Sequence, residues 1–89
     1  MTSAELVLTN KRNSLLRRFK LAFLRYYRTG ENLSSVNAAK HDLVLINDIM
    51  FEADLLQSVE TSAYVVDNIK SEVMKQVDAE SQQLNFIVD

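Results

Sequence analysis

The chain has 89 residues, no cysteine, no proline and one glycine, with 47% apolar and 25% charged residues. That is room for a single domain, 1–89; the missing cysteines exclude a disulfide scaffold, a thiolate zinc site and a cysteine nucleophile. The shortage of turn-forming residues argues against a sandwich or barrel, and the apolar content argues against a disordered linker.

The net charge of −2 conceals an asymmetry. Residues 1–33 hold seven basic and two acidic side chains, whereas residues 34–89 hold three basic and ten acidic ones. A basic first third joined to an acidic remainder points to an electrostatic contact, either within the chain or with a partner.

The first helix is expected over about 11–28. Leu15, Leu16, Phe19, Ala22, Phe23, Tyr26 and Tyr27 recur there on one face. Thr2 followed by Glu5 could form a capping box and start the helix earlier, but the polar run Thr9–Asn13 makes a break there an equal expectation. The opposite face carries Arg17, Arg18, Lys20, Arg25 and Arg28, with Leu21 and Leu24 among them. Gly30 suits the position just past a helix end, and Ser34 or Ser35 suits the next N-cap.

The second helix is expected over about 35–56, with Ala39, Leu43, Ile46, Ile49, Met50, Ala53 and Leu56 as its core stripe. A further stripe, Val44, Phe51 and Leu55, lies among Asp48, Glu52 and Asp54. A helix this apolar is either central in a bundle or shared with another subunit. The third helix is expected over about 59–82, with Val59, Ala63, Val66, Ile69, Val73 and Val77 inward.

Neither Gly nor Pro separates the second helix from the third; only the polar stretch Gln57–Ser62 could hold a turn. The fold class is therefore all-α, as a three-helix bundle if the chain turns there. If it does not, the last two helices form one continuous rod of ~48 residues, roughly 72 Å long, in a helical hairpin. The apolar tail 84–89 is β-prone, and suits a docking segment or packing against the bundle.

Catalytic chemistry finds little purchase. His41 is the only histidine, and no glycine follows it at the spacing of a phosphotransfer motif. One histidine cannot supply the paired Glu-x-x-His motifs of a di-metal bundle, and one glycine cannot build a phosphate-cradling loop. The expectation is no enzyme, no cofactor, no metal and no small-molecule substrate.

The reading is a non-enzymatic protein–protein interaction module, an adaptor, regulator or structural subunit that binds itself or another protein. Its expected contacts are Val44, Asp48, Phe51, Glu52 and Leu55 on the second helix and Leu21 and Leu24 on the first. The alternative is a nucleic-acid-binding regulator using Arg17, Arg18, Arg25 and Arg28. A membrane surface is a weaker expectation, because the aromatic residues belong to the face a bundle buries. No secretory pattern opens the chain and no apolar run approaches the ~18 residues of a span, so the expected compartment is the cytoplasm or the inside of an assembly.

Overall fold

The structure, a computed structural model, describes residues 2–56 and 60–88, with side chains to residue 82. It is a three-helix bundle: α1 (Ser3–Thr29), α2 (Leu33–Glu52) and α3 (Ser62–Val88). Its principal dimensions are 55 × 24 × 21 Å. The continuous rod of residues 35–82 is not formed, because the chain leaves the helix after Glu52 and re-enters one at Ser62.

Helix α1 starts at Ser3 instead of near residue 11. The capping box is realised: the Glu5 N–H donates to Thr2 Oγ1 at 3.2 Å, and the Thr2 N–H donates to Glu5 Oε2 at 3.4 Å. Two of the orphan donors that every helix start exposes are thereby satisfied. The polar run 9–13 continues the helix, since none of its residues breaks the backbone pattern and Arg12 finds a partner across the bundle. Gly30 ends α1 at φ 75°, its N–H bonded to Tyr26 O at 2.7 Å. Asn32, also left-handed at φ 69°, opens α2. The two left-handed residues reverse the chain, and α2 begins at Leu33, ahead of the expected serine caps.

Helix α2 ends before the expected residue 56, without glycine. The Leu55 N–H reaches Met50 O at 2.9 Å and the Asp54 N–H reaches Phe51 O at 3.1 Å, with Asp54 at φ 58°. This is the paired hydrogen-bond pattern of a Schellman motif, with an aspartate in the position glycine usually holds. Ala53 is consequently exposed instead of lying in the core stripe. Thr61 opens α3, its Oγ1 accepting from the Tyr64 N–H at 3.4 Å. The helix continues through residues 84–88, where a β-prone tail was expected; the side chains of that tail, and Val59 of the third stripe, lie outside the described residues.

The core unites Leu15, Phe19 and Phe23 of α1 with Val36, Ala39, Leu43, Ile46 and Met50 of α2 and Val66, Ile69 and Val73 of α3. Each large side chain fully buried here contributes about 1.5–3 kcal/mol relative to exposure. Phe19 and Phe23 stack along α1 with centroids 6.1 Å apart, and Lys70 lies 5.8 Å from the Phe23 ring centre. Ala63, expected inward, is exposed.

Among the described residues one polar side chain, Asn47, is buried at 0% exposure within this core. Its Oδ1 accepts from Arg12 Nε at 2.8 Å, and its Nδ2 donates to the Glu60 carbonyl at 2.8 Å and to Ser62 Oγ at 3.3 Å. The Ser62 hydroxyl is also bonded to the Asp48 carboxylate. A single buried amide thus ties α1, α2 and the entry of α3 at one level of the bundle. Buried polar groups persist when every hydrogen-bonding atom is met, and no buried side-chain N or O among the described residues lacks a partner.

Candidate interaction surface

The basic side of α1 is largely met by acids of the same chain. Arg12 lies 3.7 Å from Glu60, Arg18 3.9 Å from Asp42, Lys20 4.0 Å from Glu72 and Arg28 2.6 Å from Glu80. Much of the charge asymmetry is therefore the bundle's own cross-helix complementarity. The pairs with Glu60, Glu72 and Glu80 show that α1 and α3 run parallel, and Arg18 at Asp42 with Arg12 at Asn47 shows that α2 runs antiparallel to both.

At the far end of this seam Arg28 holds both carboxylate oxygens of Glu80, at 2.7 and 2.6 Å. That guanidinium keeps the Glu80 carboxyl below its ordinary range, overcoming the opposing effect of desolvation, with Gln76 adding a lesser hydrogen bond. Beside it the Tyr27 hydroxyl donates to Asp78 at 3.2 Å. This hydrogen bond raises the phenol above its ordinary value, with desolvation and the negative charge of Asp78 acting in the same direction.

The expected contact residues divide on folding. Val44, Leu55 and Leu24 are half-buried and pack against the core, so they do not form an outward stripe. The reason is local. Leaving the helix after Glu52 turns Leu55 back onto the core through the Schellman motif. Asp48 is engaged with Ser62. Phe51 stays 36% exposed, Glu52 is exposed, and Leu21 is 65% exposed on α1. Of the four arginines of the nucleic-acid reading, Arg18 and Arg28 are in ion pairs, while Arg17 and Arg25 are exposed with none among the described residues.

The apolar surface lies instead one position along α2. Leu45 is 56% exposed and Ile49 is 49% exposed, although Ile49 was expected in the core. One turn apart, they form one wall of a groove between α1 and α2 with a volume of about 290 Å³. Leu8 and Leu15 form the other wall, Ile46 lies between them, and Lys11, Arg18 and Asp42 rim it. A second groove, between α1 and α3, has Leu16, Val65 and Ile69 as its floor and Arg12, Arg17 and Lys20 along its α1 side.

Sequence reasoning missed Leu45 because the apolar run Leu43–Ile46 supplies a hydrophobic residue in every direction around the helix. The usable signal was the 3–4–3 spacing of Asp42, Leu45, Ile49 and Glu52, which continues a second seam beside the core seam.

His41 is exposed, and no group of three or more His, Cys, Asp or Glu side chains that could hold a metal ion occurs among the described residues. No described helix is long and apolar enough to cross a membrane. No protein-family model, curated protein or solved structure matches the chain.

Proposed function

We propose that this chain is a non-catalytic helical interaction module whose docking face is the groove between α1 and α2. The observation that carries this reading is the pair Leu45 and Ile49, about half exposed and side by side in a groove walled by Leu8 and Leu15. Scattered exposed aliphatic residues are ordinary, whereas a contiguous apolar strip with a charged rim is the form of a protein contact. A groove between two helices accepts the apolar face of a third, read at i, i+3, i+4 and i+7.

The nucleic-acid reading has weaker support, because two of its four arginines already face carboxylates. Its remaining cations, Arg17 and Arg25, are few against an acidic surface, and phosphate affinity scales with the number of cations engaged.

Capture of partners by the immobilised chain, compared with the same chain carrying Leu45→Asp and Ile49→Asp, tests the reading. Loss of the captured proteins by at least tenfold, with circular dichroism unchanged, is the expected result. Retention of the same proteins by the double variant overturns it. Binding of labelled DNA or RNA at low salt that disappears on Arg17→Glu with Arg25→Glu would favour the nucleic-acid reading instead.

A further inference from the structure

The rim of the groove has a pattern that the apolar floor does not need. Along α1 the groove-facing positions are Leu8, Lys11, Leu15 and Arg18, spaced 3–4–3. Along α2, Asp42, Leu45 and Ile49 face it and Glu52 follows one turn on, again spaced 3–4–3. Seven-residue seams of this kind are how helices pack along their length. The charges on the two seams are segregated: both cations are on α1 and both acids on α2.

We propose that the occupant of this groove is a second copy of the chain, related by a two-fold axis parallel to the helices. The inference rests on the reading of the groove as a docking face and names its partner. Charge selects the axis. A two-fold axis in the plane of the face but across the helices would lay α1 on α1 and α2 on α2, opposing cations to cations and acids to acids. Like charges brought together this way oppose association. The axis parallel to the helices lays α1 of each copy against α2 of the other. It also preserves height along the bundle. Arg18 and Asp42 share a height, since they approach to 3.9 Å within one chain. Arg18 of one copy therefore meets Asp42 of the other, twice, so that the two exposed intrachain Arg18–Asp42 pairs join into one alternating four-charge cluster, and Lys11 comes within a turn of Glu52 of the other copy.

Between these charges Leu45 and Ile49 of each copy lie over the half-buried Leu8 and the groove floor of the other, closing both grooves at once. An isologous contact of this kind ends at two copies. Helix α2 runs roughly 30 Å along this face over its 20 residues, and the ~800 Å² per partner that a stable interface buries requires the flanking surfaces of α1 and α2 to meet the second copy along with the groove.

Light scattering and sedimentation across micromolar to millimolar concentrations test this. The expected mass is twice the chain's 10.2 kDa, and Leu45→Asp with Ile49→Asp weakens the association at least tenfold without loss of helix. A second arm does not rely on the apolar variants. Arg18→Asp alone and Asp42→Arg alone each weaken self-association, and an equimolar mixture of the two restores it as a heterodimer. The native Arg18–Asp42 pair is exposed, so breaking it within one chain costs the fold little.

A chain that stays monomeric throughout overturns the second-copy inference, while the docking reading is then decided separately by the capture comparison. A dimer indifferent to both the apolar variants and the charge exchange also overturns it and places the contact elsewhere. Restoration on mixing is the result that a merely structural role for Arg18 or Asp42 would not produce.

Discussion

Asn47 shows how one residue can set the alignment of a small bundle. Its amide spends both donors and its oxygen on three partners, Arg12 of α1 and Glu60 and Ser62 at the entry of α3, with no exposure to water. Asn47→Ala leaves the Arg12 guanidinium and the Glu60 carbonyl without these contacts inside a partly buried site. Loss of these hydrogen bonds at a partly buried site costs about 1–3 kcal/mol, measurable as a lower urea midpoint. Asp54 makes the opposite case. It occupies a left-handed conformation at φ 58° that glycine adopts without steric penalty. Asp54→Gly should therefore raise stability by about 0.5–1 kcal/mol; an unchanged or lower urea midpoint would contradict this account of the α2 terminus.

At the scale of the element, α1 is the organising helix, because it pairs with acids on both neighbours while burying Leu15, Phe19 and Phe23 between them. Its far end is clasped to α3 by Arg28–Glu80 and Tyr27–Asp78. The Glu80 carboxyl is held below its ordinary range by Arg28. A carboxyl depressed in the folded state stabilises above its unfolded pKa, and that contribution is lost as pH falls through its folded pKa. Tyr27 carries the reverse sign: its phenol is raised, so its contribution is present below the unfolded value and fades as pH climbs past the folded one. Both groups lie in solvent, so the effects are small. The melting temperature of the native chain should fall more steeply toward acid than that of Glu80→Gln. Parallel acid limbs for the two proteins would remove Glu80 from the account.

For the whole molecule, four basic side chains of the first third, Arg12, Arg18, Lys20 and Arg28, are met by acids of the remainder across helix boundaries. Among the exposed apolar side chains of the bundle, Leu45 and Ile49 are the pair that lines a groove with a segregated charged rim. A domain of this size buries only about 60–65% of the surface its unfolded chain exposes, and covering that strip by a second copy adds to the buried share. Association that binds only the folded state raises stability by mass action. The melting temperature of the native chain should therefore rise with protein concentration, whereas that of the Leu45→Asp, Ile49→Asp variant should not. A melting temperature independent of concentration in both would contradict the self-association.

The sequence by itself determined the helical class, the inward residues Phe19, Leu43, Met50 and Val73, and the stop at Gly30. Each follows from local periodicity or from a conformation that one residue type favours. Tertiary structure alone decided three matters. It chose which side of α2 faces out, because apolar residues surround that helix and only its neighbours select a buried side. It placed the break after Glu52, where Asp54 takes a glycine's conformation and the Asn47 network fixes the entry of α3. And it turned the charge asymmetry into cross-helix pairs, because the alignment that brings Arg12 to Glu60 and Arg28 to Glu80 exists only once the helices are stacked.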